Sequence, residues 1–308
     1  MTPRPGSRTT LIDTDPGLDD ALAILLALFS PELDVRGLAT VAGNIGLHAT
    51  TRNAGRLLAL AGRADILVFP GAAAPLERPA PPPLDIHGDD GVGGVALPEP
   101  ARAPEPTTAT DGLAERLRAE PPGTVDILAL GPLTNLARLV LNHPDAAARL
   151  GRVIAMGGAI AEPGNVGSRA EFNLATDPEA ADVVLRAGLA LTLVPLDVTR
   201  RVRATRAFAA ELAAAGGPVP ATAAALIDAY FQSTAGRDSR PLHDPCAVLF
   251  ALRPELFVVR RLRFRVQVGA GKDAGALDVA EEGGFPADVA LDVDAPAALD
   301  VLRRRLAR

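Results

Sequence analysis

The stretch LIDTDPGLDDALAILLAL, residues 11–28, places four aspartates at the head of an otherwise apolar run. Its start reads as the end of a buried strand, Pro16-Gly17 as a turn, and 18–28 as an apolar helix. Asp13, Asp15, Asp19 and Asp20 therefore gather where a strand becomes a helix, in a region patterned for burial. Like charges repel, and each costs several kcal/mol to take out of water unless something neutralises it. One or two acids in a first helical turn suit the cap and the helix dipole. Four in eight residues exceed that need. Because adjacent helical residues point about 100° apart, Asp19 and Asp20 serve two different ligands. A bound cation accounts for the cluster, and all-oxygen ligation selects calcium or magnesium over zinc.

The same alternation runs outward through the chain. TTLID, VRGLATVAG, DILVFPG, VDILALG, RVIAMGG and ALTLVPLDV (190–198) read as strands, with helices at 18–28, 48–61, 111–119, 133–141 and 178–187. Strands that are apolar without alternating, separated by helices, predict an α/β fold: a mostly parallel central sheet, Rossmann-like, with helices on both faces. Ligands of such sheets bind beyond the carboxyl ends of the strands, where the polar clusters fall. Residues 73–106 are rich in proline and glycine and too long for a plain connection, which predicts a functional loop or lid. The segment 203–243 reads as largely helical, and the last 50 residues as two or three strands and a closing helix at 295–306. With no internal repeat and no linker, 1–308 reads as one domain with a flexible N-terminus at 1–8.

Composition narrows the function. A net charge of −6 argues against a nucleic-acid partner, which needs a basic face. Of the 31 basic residues only Lys272 is a lysine, which carries no functional signal. Twenty-nine glycines and 28 prolines in 308 residues stay below the roughly 25–30% at which disorder becomes the better reading. The single cysteine, Cys246, excludes an internal disulfide and suits a reducing cytosol; it reads as a small buried hydrophobe. No apolar run reaches the roughly 18 residues of a membrane span, and MTPRPGSRTT lacks the apolar core of a signal peptide, so a cytoplasmic protein is expected.

DTDPGLDDALAILLAL resembles the N-terminal signature of the nucleoside hydrolases of the inosine-uridine-preferring type. The resemblance continues in order through TVAGN (40–44), HGDDGVGG (87–94), LGPLTNLA (130–137), MGG (156–158), GN…AEFN (164–173), ATDPEAA (175–181) and HDPCAV (243–248). The last 60 residues add little to it. The resemblance implies calcium-dependent hydrolysis of the N-glycosidic bond of ribonucleosides, giving a free nucleobase and ribose. It places the calcium ligands on Asp15, Asp20, the Leu130 carbonyl and Asp244, with Asp15 as general base toward water. It assigns the ribose 2′- and 3′-hydroxyls to Asp19, Asn44, Asn173 and Asp244, and the 5′-hydroxyl to Asn165 and Glu171. Carboxylates and amides suit such diols because each hydroxyl offers a donor and an acceptor. His243, beside Asp244, would donate a proton to the departing base, as a residue that ordinarily titrates near neutrality. His87 matches the family's base-side flap. Family members are homodimers or homotetramers.

Simpler roles stand beside these: a turn for Asn44, a plain loop position for His87, a structural role for His243. His48 and His143 have no partner motif and read as surface or helix-end residues. The chain departs from the family pattern in the insert AIAEP (159–163), in a flap without bulky groups, and at 229–240, where Tyr230, Phe231, Gln232 and Arg237 are available to the base. It also lacks tryptophan, which weighs against purine stacking between indoles. Two other readings use the same acids: a non-catalytic nucleoside- or sugar-binding protein of this fold, and a phosphatase of the haloacid dehalogenase type. The second needs a downstream lysine that fits poorly with the lone Lys272.

Overall fold

Strand formation begins at Arg8, so the segment expected to be a flexible terminus already contributes to the sheet at its last residue. The computed structural model describes residues 6–79, 86–233 and 237–308; parts of the N-terminal, 73–106 and 229–240 expectations lie outside the described residues. The strands are β1 (Arg8–Thr14), β2 (Leu33–Thr40), β3 (Leu67–Pro70), β4 (Val125–Ala129), β5 (Leu150–Met156), β6 (Ala190–Val194), β7 (Arg203–Thr205), β8 (Ser239–Pro241), β9 (Phe257–Val266), β10 (Leu277–Val279) and β11 (Phe285–Val293). The first helices are α1 (Leu18–Leu28), α2 (Leu47–Leu60), α3 (Ala109–Ala119), α4 (Thr134–Asn142), α5 (Pro144–Ala147) and α6 (Phe172–Thr176). Then follow α7 (Pro178–Arg186), α8 (Leu196–Thr199), α9 (Arg206–Ala214), α10 (Pro218–Gln232), α11 (His243–Leu252) and α12 (Ala295–Leu306).

The main sheet runs β10-β9-β11-β6-β5-β4-β1-β2-β3, parallel from β3 through to β11, with β9 and β10 antiparallel at one edge. From β1 the chain winds one way through β2 and β3, then returns to β4 and winds the other way. The loops leaving β1 and β4 therefore part, and a crevice opens between them at the carboxyl edge. Asp15 follows β1 and Leu130 follows β4, so both open into that crevice. The β1 strand is buried on both faces from Thr9 to Thr14, although only Leu11 and Ile12 of its residues are apolar. Helix α1 is buried along nearly its whole length, because the sheet lies on one side and α10 and α11 on others. A helix that is apolar all round is one enclosed in a core.

Two expectations shift. The run 190–198 was read as one strand, but β6 stops at Val194 and Pro195 starts the single turn α8. The proline cannot donate a ladder hydrogen bond, so the sheet ends there despite the apolar side chains that follow. The segment 203–243 is two helices, as patterned, framed by the small antiparallel pair β7–β8. The described parts of 73–106 form no helix or strand. They are stitched to the body by Arg56 on the Leu97 carbonyl (3.0 Å) and by Glu105 N–H on the Val68 carbonyl (2.8 Å).

One buried side chain ties the carboxyl ends of β1, β2 and β3 together. Asn135 at the start of α4 is fully buried and donates to Asp13 Oδ1 (2.7 Å) and to the Thr40 carbonyl (3.0 Å). Its Oδ1 accepts the Ala72 N–H at 2.9 Å. Gly71 is packed so closely that a Cβ would lie 2.3 Å from that oxygen. Removing a partner strands buried polar groups at about 1–3 kcal/mol each. Asn135→Ala should therefore lower unfolding free energy by at least about 3 kcal/mol in urea titrations; an unchanged midpoint would show that the node carries no load.

Candidate active site

The buried carboxylates at the two ends of the sheet live in opposite environments. At the amino edge Asp126 is held by Arg8 (2.5 Å) and Arg152 (2.7 Å). Burial raises its pKa, but the two guanidinium partners outweigh that and leave it below the usual carboxylate range. At the carboxyl edge Asp15, Asp19, Asp20 and Asp244 are each no more than 5% exposed, and no arginine or lysine among the described residues perturbs them. Asp15 and Asp244 are driven well above the normal range, first by burial and then by the neighbouring carboxylates. Burial, offset by amide and carboxyl hydrogen bonds, puts Asp19 at about 6. Asp20 is raised by burial and by Asp19. The arrangement demands protons or a cation.

Each acid is aimed by a different element. Asp20, at the third position of α1, accepts Gly17 N–H (3.0 Å), Thr14 Oγ1–H (2.5 Å) and Asn44 Nδ2–H (2.9 Å). It thus does serve as the helix cap, in the reciprocal pattern that pairs the N-cap amide with an acid one turn on. Asp15 Oδ2 accepts Asn44 N–H at 2.7 Å, while its Oδ1 is buried without a partner among the described residues. Gly43 and Gly131 enclose that carboxylate; a Cβ on either would lie 2.1 Å from Oδ2 or 2.4 Å from Oδ1. Neither glycine was singled out in the sequence, because nothing local distinguishes a cradle glycine from a turn glycine. Asp244 enters from the first turn of α11. Ligand atoms of Asp19, Asp20 and Asp244 lie within 4.8 Å of one another, so Asp19 belongs to the acidic cluster itself.

The Leu130 carbonyl, expected to be free at the end of β4, accepts Asn173 Nδ2–H at 2.7 Å. A carbonyl has a second lone pair, so the contact leaves one acceptor position. Asn173 also donates to the Met156 carbonyl at 3.2 Å. Glu171 is buried, caps α6 through the Asn173 and Leu174 amides, and accepts Gly158 N–H at 3.1 Å. Burial pushes it up to about 7. Asn165 is exposed at the mouth of the same pocket, and the 159–163 insert behind it is clamped by Asp197, which accepts the Ile160, Ala161 and Glu162 amides.

Both singled-out histidines line the pocket. His87 reaches from the flap to α1, where its Nδ1 accepts Leu18 N–H at 3.1 Å, and burial lowers its pKa. His243 keeps part of its ring in the pocket, with Nδ1 2.7 Å from Thr199 Oγ1. Its expected titration near neutrality is corrected: burial, then the charges of Arg200 and Arg203, depress it to about 3, so the ring is neutral. Ile86, Met156, Phe172 and Tyr230 complete the wall. Of the four side chains considered at 229–240, Tyr230 alone is in it. His143 is a helix-end residue, 2.9 Å from Asp111. Cys246 is buried on the Leu242 carbonyl.

A doubly wound sheet with an acid-lined, hydroxyl-matching pocket at its switch point defines an enzyme site. The family model described as inosine-uridine preferring nucleoside hydrolase matches residues 10–300, and the chain belongs to that family. It is 41% identical over 305 residues to a pyrimidine-specific ribonucleoside hydrolase RihA of Salmonella newport, covering 96% of this chain and 97% of the relative. An uncharacterised Schizosaccharomyces pombe protein is 38% identical over 97% of this chain and 98% of its own length. Among solved structures, a plant nucleoside hydrolase superposes with TM-score 0.90 at 35% identity, over 97% of this chain and 99% of its own. A purine-preferring ribonucleoside hydrolase of Gardnerella vaginalis gives 0.91 at 28%, over 97% and 98%. The chain is a ribonucleoside hydrolase, cleaving the N-glycosidic bond.

Gly131→Ala offers a test of the cradle. A Cβ there must displace the Asp15 carboxylate, and if that carboxylate takes part in the reaction, a displacement of about 1 Å can cost about 10²-fold. We expect kcat/KM for uridine to fall by roughly that factor with the circular dichroism spectrum unchanged and the stability lowered by an overpacking cost of about 1–3 kcal/mol. Unchanged turnover would remove Asp15 from the reaction.

Proposed function

We propose that the enzyme works as a calcium-dependent hydrolase in which Asp15, Asp20, Asp244 and the Leu130 carbonyl hold the ion, with Asp19 at its border. One observation carries the reading: Asp19, Asp20 and Asp244 bring ligand atoms within 4.8 Å of one another with no arginine or lysine beside them among the described residues, and Asp15, whose Oδ1 has no partner among those residues, adds its charge to theirs. The donor set is all oxygen, which fits a hard cation. When bound, such an ion supplies positive charge that neutralises the cluster and makes a nearby water more acidic.

The chain's own groups then have distinct tasks. Asn44 N–H occupies Asp15 Oδ2, so Oδ1 is the atom that takes the proton of the attacking water. Asp19, Asn44, Asn173 and Asp244 hold the 2′- and 3′-hydroxyls, and Asn165 and Glu171 the 5′-hydroxyl. Anions beneath the ring favour the positive charge that develops as the glycosidic bond breaks. His87 and the side chains Ile86, Phe172 and Tyr230 face the base, and the neutral His243 donates an Nε2–H hydrogen bond to it as it departs. Pyrimidine ribonucleosides are the proposed preference, supported by the RihA relatives and by the absence of indoles for stacking purines. A cytoplasmic homodimer or homotetramer completes the reading, on the family resemblance. Among the described residues no helix is long and apolar enough to cross a membrane.

Chelation should abolish turnover and added Ca²⁺ should restore it, with Asp15→Ala losing both metal and activity; full activity in protein shown by elemental analysis to be metal-free overturns the reading. Steady-state kinetics check the sugar and base sites. A substrate lacking the 2′-hydroxyl leaves buried polar groups unpaired, at about 1–3 kcal/mol each, so kcat/KM for 2′-deoxyuridine should drop at least about 10²-fold below uridine. Uridine and cytidine should exceed inosine and adenosine. Equal rates for uridine and its deoxy analogue would remove Asp19, Asn173 and Asp244 from the diol.

A further inference from the structure

Helix α8 is one turn long, yet each of its polar residues grips a different part of the pocket wall. Asp197 holds the amides of residues 160–162, as described above. Arg200, which follows the turn, holds the carbonyls of Pro163 (2.7 Å) and Gly164 (3.2 Å), next to Asn165. Thr199 holds His243. We propose that Thr199 is a positioning residue that fixes the tautomer and ring plane of His243, so that its Nε2–H faces the departing base. The proposal rests on the reading of His243 as the donor to that base.

The argument is one of hydrogen-bond accounting. Thr199 is fully buried, and among the described residues its hydroxyl has a single side-chain partner, His243 Nδ1 at 2.7 Å. A buried hydroxyl proton needs an acceptor, and buried polar groups are nearly always satisfied. Nδ1 is the acceptor available, so it carries a lone pair and the ring proton resides on Nε2. The opposite tautomer leaves the hydroxyl proton without an acceptor and turns a bare lone pair toward the pocket. That ring could accept from the base but could not donate to it. Nε2 has no protein partner among the described residues, which leaves its N–H for substrate. The ring is held at Nδ1 by the Thr199 hydroxyl, and the backbone that carries it is held by its N–H on the Asp19 carboxylate. As the C1′–N bond breaks, its electron pair moves onto the base, and the Nε2–H hydrogen bond meets the growing negative charge.

Two substitutions in the calcium-loaded enzyme separate this from simple packing. Thr199→Val keeps shape and removes the hydroxyl; Thr199→Ser keeps the hydroxyl. With uridine, Thr199→Val should lower kcat/KM roughly 10- to 100-fold, part of the roughly 10²–10³ that a preorganised hydrogen-bond donor to developing negative charge is worth, and Thr199→Ser should recover most of it. With p-nitrophenyl riboside, whose leaving group departs without a proton, both variants should stay within about twofold of wild type, since no donor is needed. An equal loss on both substrates, or no loss on uridine, overturns the proposal. His243→Ala keeps the underlying reading separate. If it hydrolyses uridine normally, the donor role of His243 fails; if it is crippled while Thr199→Val is not, the positioning role alone fails. Nitrogen-15 NMR of the labelled histidines gives an independent readout. Nδ1 of His243 should be unprotonated in the wild type, and a protonated Nδ1 there would contradict the assignment.

Discussion

Asp15, Asp19, Asp20 and Asp244 are buried together at the one place in the sheet where the chain parts in two directions, and much of the site's architecture follows from that. The loops after β1 and β4 diverge, so the carboxyl ends of these strands have no crossover packed on them. Backbone carbonyls and side chains there can face a ligand and not a neighbouring helix. Into that gap the chain puts acids from β1, α1 and α11. Their mutual repulsion is a liability for folding and, on the proposed reading, an asset for function, because it sets up a field that a cation and a developing positive charge would both relieve.

The contrast with Asp126 makes this concrete. That residue is as buried as the site acids, but two arginines answer it, and its carboxylate is spent within the protein. A buried acid answered by a protein cation reads as structure; buried acids held only by neutral donors and crowded against one another read as a receptor for something absent from the chain. Around the receptor the protein places rigid support. Asn135 draws three strand ends together, Gly43 and Gly131 admit the Asp15 carboxylate to a space no Cβ could share, and α8 clamps the 160–164 loop. These supports come from elements spread over the whole α/β body, which explains how so small a pocket is held so firmly.

The family's recurring motifs fall on one edge of the sheet, although they are scattered over more than 200 residues. TVAGN supplies Asn44 after β2, LGPLTNLA supplies Leu130 and Asn135 after β4, AEFN supplies Glu171 at the cap of α6 and Asn173 in its first turn, and HDPCAV opens α11. The tertiary structure adds that several of these residues are bonded to each other. Asn44 is bonded to Asp15 and Asp20, Asn173 to the Leu130 carbonyl, and His87 to the first amide of α1.

What the sequence determined by itself is whatever depends on near neighbours. Apolar runs of strand length, Pro16-Gly17 at the first turn, and the apolar helix after it specify a parallel α/β sheet and mark its first carboxyl end as acidic. The closing helix at 295–306 was legible for the same reason, its cap and apolar spacing being local. The strand overrun past Pro195 shows the limit of apolar patterning, since buried turn and buried strand use the same side chains. Only the tertiary structure decided which buried polar groups have partners. That Asp13 meets Asn135, that Asp15 Oδ1 meets nothing, and that the His243 ring leans on Thr199 are contacts across 44 to 122 positions, or the lack of one. Hydrogen-bond satisfaction is a property of assembled surroundings. Types and spacing along a chain name the candidates, and burial and pairing assign them their work.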